Sequence, residues 1–269
     1  MVEATQEPNI QTSESRSTPS RPTEKVQTTD SNLNVDPQEV QKFNAMAEQW
    51  WDPTGSFKPL HDINPLRTQF IEQSLTESGS GSLAGKKVLD IGCGGGILTE
   101  GMHYRGADVT GIDMGEMPLN IAQQHAEQAG LSIQYERITA EAKAAQAPAQ
   151  YDVVTCLEML EHVPDPASVI AACSRLCKPG GQLFFSTINR NPKAYLFAVI
   201  GAEYVLKLLP KGTHNYDKFI KPSELSRWIR QANLTCGTSI GLHYNPITQH
   251  YSLGRDVSVN YMLQAFKPE

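Results

Sequence analysis

The stretch VLDIGCGGGIL, residues 88–98, runs from apolar residues into a cluster of four glycines and back to apolar residues. A glycine cluster directly after a buried strand indicates a tight turn where the backbone approaches a ligand closely. Ile97 stands where a dinucleotide-binding G-x-G-x-x-G/A turn needs a third small residue, because the glycines fall at 92, 94, 95 and 96. A phosphate-binding loop would end in Gly-Lys-Ser/Thr, and no lysine follows here. The turn therefore favours another ligand.

Two acids flank this turn at the predicted ends of neighbouring strands. Asp90 precedes the glycines, and Asp113 ends the next strand. A carboxylate at Asp90 would repel a pyrophosphate and attract a cation, whereas one at Asp113 is placed to accept hydrogen bonds from ribose hydroxyls. Together with Gly92 and Gly94, these acids predict a site for S-adenosylmethionine, which carries a cationic sulfonium and an ammonium group.

The order of predicted elements indicates an α/β fold. Apolar strands alternate with helices, which is typical of a mostly parallel sheet covered on both faces. The last two strands have no helix between them and predict an antiparallel hairpin at one edge. Seven strands are predicted: KKVLDIG, ADVTGID, IQYERITA, YDVVTCLEML, QLFFSTIN, LTCGTSIGL and DVSVNYMLQAF.

Composition sets the outer limits of the domain. Residues 1–33 are rich in Ser, Thr, Pro and Gln and predict a disordered tail ahead of one domain, residues 34–269. A net charge of −6 argues against a nucleic-acid partner. Five cysteines without a Cys-x-x-Cys pair indicate reduced thiols and a cytoplasmic location. No apolar run reaches the ~20 residues of a membrane span.

The start of the domain, residues 34–83, predicts a helical cap. Asp36 is placed to cap a first helix, with Pro37 at its first position and Glu39 completing a capping box. HDINPLRTQFIEQSL predicts a second helix with Pro65 near its start. The Trp50–Trp51 pair between the two helices would either clamp an aromatic ring or fill the core beneath them.

Several segments together carry a family resemblance. VLDIGCGGG, GIDMGE and LCKPGGQLFFST resemble the class I S-adenosylmethionine-dependent methyltransferases, whose fold is Rossmann-like. The flanking segments are similar to the ubiquinone-biosynthesis O-methyltransferases over about residues 35–266: FNAMAEQWWDPTGSFKPLHDINPLRTQFI, STINRNPKAYLFAVIGAEYVLKLLPKGTH, KFIKPSEL and GLHYNPIT.

The resemblance implies both a cofactor site and a reaction. It carries cofactor contacts over to Arg67, Gly92, Asp113 and Leu157, with Leu157 beside the adenine. It implies methyl transfer to phenolic hydroxyls of polyprenyl hydroxyphenol or demethylubiquinol intermediates, at both O-methylation steps of ubiquinone biosynthesis. It also implies contacts with other enzymes of that pathway and a peripheral place on the inner face of the plasma membrane.

An acidic–histidine cluster follows the fourth predicted strand, in CLEMLEHVPDP. Glu158, Glu161 and His162 should line the crevice at the carboxyl ends of the strands, where the methyl acceptor would arrive. A phenol of pKa about 10 needs help to lose its proton at neutral pH. Either Glu161 or His162 acts as a general base, or all three residues hold a divalent cation such as Mg²⁺, as the resemblance implies for eukaryotic members.

An insert at residues 190–222 contains the short apolar segment PKAYLFAVIGAEYVLKLLP. It predicts a lid over the site or an interfacial helix on an anionic lipid surface, with Lys207, Lys211 and Lys218 facing the lipid. These two roles are compatible.

Two rival functions remain open. The chain could methylate another small-molecule acceptor, or it could bind S-adenosylmethionine or lipid without catalysis. Methylation of a demethyl-quinol would separate the first rival from the function that the resemblance implies, and binding without turnover would favour the second.

Overall fold

The computed structural model describes residues 1–2, 33–196 and 216–269, and the described part of Leu33–Glu269 forms one compact unit. The predicted disordered tail falls almost wholly outside the described residues. Residues 197–215 of the predicted insert, with Lys207 and Lys211, lie outside them as well.

One mixed sheet forms the centre of the domain. The strands described are β1 (Lys87–Ile91), β2 (Asp108–Asp113), β3 (Gln134–Arg137), β4 (Tyr151–Leu157), β5 (Cys177–Ile188), β6 (Thr235–Asn245), β7 (His250–Gly254) and β8 (Asn260–Phe266). Their order across the sheet is β3-β2-β1-β4-β5-β8-β6-β7. The first five are parallel, and the last three pair antiparallel. This confirms the predicted fold class.

Helices cover both faces of the parallel strands. They are α1 (Pro37–Met46), α2 (Lys58–Glu77), α3 (Ile97–His103), α4 (Glu116–Gln128), α5 (Ala140–Gln146), α6 (Pro166–Leu176), α7 (Pro192–Ala194) and α8 (Pro222–Gln231). Successive strand residues point to opposite faces. Val88 accordingly packs in one apolar cluster with Phe70 of α2, and Leu89 packs in the other with Ile170 of α6.

The antiparallel part differs from the prediction in its strand count. The described residues contain an eighth strand, β7, so the predicted seven-stranded sheet is corrected. β6 and β8 pair as predicted, but the edge of the sheet is β7 rather than either of them. β7 has only five residues and none of them is fully buried. A short edge strand without a buried apolar run gives little sequence signal.

Helix ends differ from the prediction at two places. Asp36 caps α1 and accepts a hydrogen bond from the Gln38 amide, but the side chain of Glu39 bonds elsewhere instead of completing a capping box. α2 begins at Lys58, so Pro65 lies inside the helix rather than near its start. Two helices, α5 and α8, were not predicted from the sequence.

Among the residues that the structure describes, none of the helices has the length and apolar character that a membrane span requires.

Gly241 provides a test of the antiparallel edge. It lies in β6 between Gly254 of β7 and Tyr261 of β8, and a Cβ atom there would lie 1.9 Å from the backbone oxygen of Asp256. We expect Gly241→Ala to lower the free energy of unfolding by about 1–3 kcal/mol, because backbone must move to make room. Urea denaturation measures this. Ser239→Ala, at an exposed position of the same strand, is the matched control and should change it by less than about 0.5 kcal/mol. Equal midpoints for the two variants would contradict the close approach.

Candidate active site

A cavity of about 820 Å³ opens at the carboxyl ends of β1, β2 and β4. It brings together all the residues that the sequence singled out for cofactor binding and for chemistry. These are Arg67, Asp90, Gly92, Gly94, Asp113, Leu157, Glu158, Glu161 and His162. The cavity continues between α1 and the β6–β7 hairpin, where Tyr244 and Tyr251 form part of the wall with ring centroids 4.8 Å apart.

The glycine loop, residues 92–96, is fixed to the end of β2 by Asp113. Gly92, Gly94 and Gly96 have φ angles of +72°, +53° and +88°, which side chains on other residues would strain. The Gly94 amide donates to one oxygen of Asp113 at 2.9 Å, and the Gly115 amide donates to the other at 2.7 Å. Burial raises the pKa of Asp113, and these amides oppose that shift. Asp113 therefore shapes the loop in addition to facing the cavity.

Trp50 covers the glycine loop. A Cβ atom on Gly94 would lie 2.1 Å from the indole, and one on Gly95 would lie 2.2 Å from it. The neighbouring Trp51 donates its indole N–H to the Gly95 carbonyl at 2.8 Å, and Trp50 stacks on Phe57 at 4.0 Å. The sequence alone attributed these glycines to the close approach of a ligand. At positions 94 and 95, however, glycine is needed because the side chain of Trp50 lies against the loop. Trp50 thus fills the core under the helical cap.

Asp90 is buried beneath the loop with both carboxylate oxygens engaged. Thr99 donates to one and Thr155 to the other, each at 2.7 Å. Burial raises the pKa of Asp90 to about 6, and the two hydroxyls oppose that shift. Each oxygen of a carboxylate accepts two hydrogen bonds, so one position on each remains for a cation.

Arg67, from α2, is a buried cation with an incomplete set of partners. Its side chain is 6% exposed, and its Nη2 lies 3.4 Å from Oε1 of Glu158 without a hydrogen-bond partner among the described residues. Most buried polar atoms in proteins have such a partner. An unpaired guanidinium nitrogen on the cavity wall therefore fits the carboxylate of an amino-acid-like ligand, as S-adenosylmethionine would present.

Glu158 connects the end of β4 to strands farther along the sheet. Its φ angle is +56°, an uncommon conformation for a residue with a side chain. Ser186 of β5 donates to Oε1 at 2.6 Å, and the amide of Asn260 in β8 lies 3.1 Å from both oxygens. The backbone strain is sustained by bonds that hold the carboxylate toward Arg67.

Glu161 and His162 lie in a 3₁₀ turn, Leu160–His162, and their side chains diverge. Glu161 is buried and accepts a hydrogen bond from Thr187 at 2.9 Å; burial, and after it the charge of Glu158, raise its pKa to about 7. His162 Nδ1 lies 3.0 Å from Oε2 of Glu39 in α1. That hydrogen bond is the main reason why the pKa of Glu39 falls to about 2.

The predicted metal site does not form from these residues. Glu158 is held by Arg67, Glu161 by Thr187, and His162 by Glu39. Nowhere in the described ranges do three His, Cys, Asp or Glu side chains come together so that one ion could bind them. The three candidate donors for Mg²⁺ are thus bound to separate partners.

Two further residues with predicted roles are Leu157 and Lys218. Leu157 ends β4 and borders the cavity, as predicted. Lys218 is paired with Asp36 and Glu39, so it is not a free cation facing lipid. Glu39 and Asn260 are site residues that the sequence did not indicate. The Asp-x-x-Glu spacing of α1 drew attention to Glu39 but was assigned to a helix cap.

The buried carboxyl of Glu161 makes stability depend on pH. Its folded-state pKa of about 7 is above the ordinary value of 4.5, so the stabilisation by its proton is complete below about pH 4.5 and is lost as pH rises through 7. Glu161→Gln keeps an acceptor for Thr187 without the charge. We expect this variant to match the parent near pH 5 and to melt about 2–8 °C higher at pH 8, measured by calorimetry. The exposed control Glu48→Gln should show no such dependence; a pH-independent difference for Glu161→Gln would contradict the assignment.

Known proteins resemble the chain over most of its length. The family described as Methyltransferase domain matches residues 60–238. A ubiquinone biosynthesis O-methyltransferase of Pseudomonas fluorescens (strain SBW25) is 64% identical and spans 88% of this chain and 99% of its own length. That of Stutzerimonas stutzeri (strain A1501) is 65% identical over 87% and 98%.

A solved structure supports the fold independently. Magnesium protoporphyrin IX methyltransferase from Synechocystis PCC 6803, with bound SAH, superposes with a TM-score of 0.60 at 18% identity, covering 86% of this chain and 100% of that one. At this identity the likeness concerns the fold alone, and the curated relatives define the family. The protein is a member of the ubiquinone biosynthesis O-methyltransferase family, built on the S-adenosylmethionine-dependent methyltransferase fold.

Proposed function

We propose that this protein transfers a methyl group from S-adenosylmethionine to phenolic hydroxyls of polyprenyl hydroxyphenol and demethylubiquinol intermediates, at both O-methylation steps of ubiquinone biosynthesis. One observation carries the proposal: a single cavity of about 820 Å³ joins the buried guanidinium of Arg67, whose Nη2 lacks a hydrogen-bond partner among the described residues, to the imidazole of His162. Arg67 suits the carboxylate of the methyl donor, and His162 suits the hydroxyl group of a phenol. The curated relatives, which are named ubiquinone biosynthesis O-methyltransferases, support the same function.

The cofactor end of the cavity is polar where the donor is charged. Arg67 would bind the methionyl carboxylate, and the free acceptor positions of Asp90 would bind the ammonium. Asp113 would accept from the ribose hydroxyls, and the glycine loop would lie under the methionyl chain. Leu157 would contact the adenine ring. S-adenosylmethionine would supply an electrophilic methyl group there, and transfer to oxygen gives the methyl ether and S-adenosylhomocysteine.

At the acceptor end, the chain must remove the proton of the phenol. A phenol of pKa about 10 is a weak nucleophile at neutral pH, and a histidine within reach is a suitable base. His162 borders the cavity, and its Nε2 has no hydrogen-bond partner in the described part of the chain. Glu161 lies beside it, and burial raises its pKa to about 7, so this acid is partly protonated near neutral pH. We assign the base to His162.

Contact with a lipid surface remains a prediction about the insert. Tyr195 and Leu196, the last described residues before position 197, are 42% and 53% exposed, and Leu196 also borders the cavity. An apolar entrance suits a substrate with a polyprenyl tail. Lys218, being paired, does not contribute to such a surface in this conformation.

Arg67 provides a test of the cofactor assignment. We expect Arg67→Lys to weaken binding of S-adenosylhomocysteine by about 10–100-fold, because an ammonium keeps the charge but cannot form the planar two-point contact with a carboxylate. Isothermal titration calorimetry measures this. Arg105→Lys is the matched control, since Arg105 pairs with Glu72 away from the cavity and should change affinity less than twofold. Unchanged affinity for Arg67→Lys would exclude the assigned contact.

The proposed reaction is tested with purified protein, S-adenosylmethionine and a demethylubiquinol, followed by mass spectrometry. We expect the O-methyl product and S-adenosylhomocysteine in equal amounts. His162→Gln should lower kcat by about 10²–10⁴-fold with cofactor affinity unchanged, because a general base contributes on that scale. His250→Gln, at an exposed edge position, is the control. Methylation of unrelated phenols alone would favour another acceptor, and cofactor binding without any turnover would favour a non-enzymatic role.

A further inference from the structure

We propose that Glu39 is a positioning residue that fixes the tautomer and orientation of His162, so that α1 must be docked for the base to be in place. The inference rests on the proposed function and extends it to a residue outside the methyltransferase core. Glu39 lies 123 positions before His162 in the chain. It also precedes residue 60, where the match to the methyltransferase domain family begins.

The contact itself defines the tautomer. Glu39 Oε2 lies 3.0 Å from Nδ1 of His162. An ionised carboxylate only accepts hydrogen bonds, so Nδ1 must carry the proton and donate it. In the neutral ring the other nitrogen, Nε2, is then an acceptor. Among the described residues Nε2 has no partner of its own, which leaves it available to a phenol in the cavity.

A second contact from the same helix fixes the plane of the ring. Phe43 lies one helical turn after Glu39, and its ring meets that of His162 edge-on at 5.1 Å and 89°. Residues four apart in a helix share a face. Helix α1 therefore contacts the imidazole twice, through Glu39 at Nδ1 and through Phe43 at the ring. The two contacts restrict the rotation of the imidazole and its tautomer.

The carboxylate of Glu39 is itself held in place. Lys218 donates to its Oε1 at 3.2 Å and to Asp36 at 2.9 Å, and Lys42 lies 3.4 Å from Oε2. Lys218 belongs to the described end of the insert, so the docking of α1 is tied to that part of the insert. The ammonium groups of Lys218 and Lys42 favour the ionised carboxylate, which keeps it an acceptor toward Nδ1.

The step that this arrangement serves is a single proton transfer. The phenolic O–H bond breaks, the proton moves to Nε2 of His162, and the electron pair stays on oxygen. The imidazolium that forms is stabilised by the carboxylate of Glu39 at Nδ1. The proton is afterwards released to solvent, which restores the neutral ring.

The tautomer can be observed directly. In protein labelled with ¹⁵N-histidine, the His162 signals are assigned by their loss in His162→Gln. At pH 8 we expect the Nδ1–H form in the parent protein and in Gln41→Ala, and a mixture with the Nε2–H form in Glu39→Gln. Gln41→Ala is the matched control because it changes an exposed side chain of the same helix and leaves the bond between Glu39 and His162. An Nε2–H form in the parent would overturn the proposal.

Kinetics separate positioning from mere support of the fold. We expect Glu39→Gln to lower kcat by about 10–100-fold with KM for S-adenosylmethionine within twofold, Glu39→Asp to recover part of the loss, and Gln41→Ala to stay within twofold of the parent. Equal losses in Glu39→Gln and Gln41→Ala would overturn the proposal. If the parent methylates no phenol, the proposed function fails, whereas the ¹⁵N measurement still decides whether Glu39 sets the tautomer.

Discussion

The indole of Trp50 lies against the glycine loop so closely that neither Gly94 nor Gly95 could carry a Cβ atom. The loop is thereby held between two supports. Asp113, at the end of β2, accepts a hydrogen bond from the amide of Gly94. Trp50 and Trp51, from the helical cap, cover the loop. A loop fixed in this way offers a rigid backbone surface to a cofactor, and rigidity before binding lowers the entropy lost on binding. Asp113, one of the acids that face the cavity, is in turn positioned by its bond to this loop.

Three carboxyl groups around the cavity show how surroundings set their charge. Asp90 and Glu161 are buried, and burial raises the pKa of each. Glu39 is only partly buried and bonds to His162, which lowers its pKa. At neutral pH the cavity therefore combines an ionised acid beside the imidazole with a second acid, Glu161, that is partly protonated. Such a difference allows one acid to support a base while the other donates a hydrogen bond.

Local pattern predicted the parallel half of this protein well. Strands such as β1 and β4 are apolar and bounded by turns, and their carboxyl ends meet at one edge, so the acids that follow them had to converge. The pairing of Glu39 with His162, and of Glu158 with Asn260, depends on packing across more than 100 residues and leaves no local pattern. The Asp-x-x-Glu spacing fits a helix cap equally well. For the same reason the cluster at positions 158–162 predicted a shared ion, although its side chains diverge.

The last strand of the chain, β8, is inserted between β5 and β6 rather than added at the edge. The β6–β7 pair can therefore join the parallel strands only after Asn260–Phe266 has taken its place. The pairing of β5 with β8 closes the long segment of chain between these two strands. Such pairing forms slowly, because the entropy of loop closure is lost before the new contacts stabilise the chain. Since β8 also supplies Asn260 to the carboxylate of Glu158, the acid beside Arg67 gains this partner only when the last strand has entered the sheet.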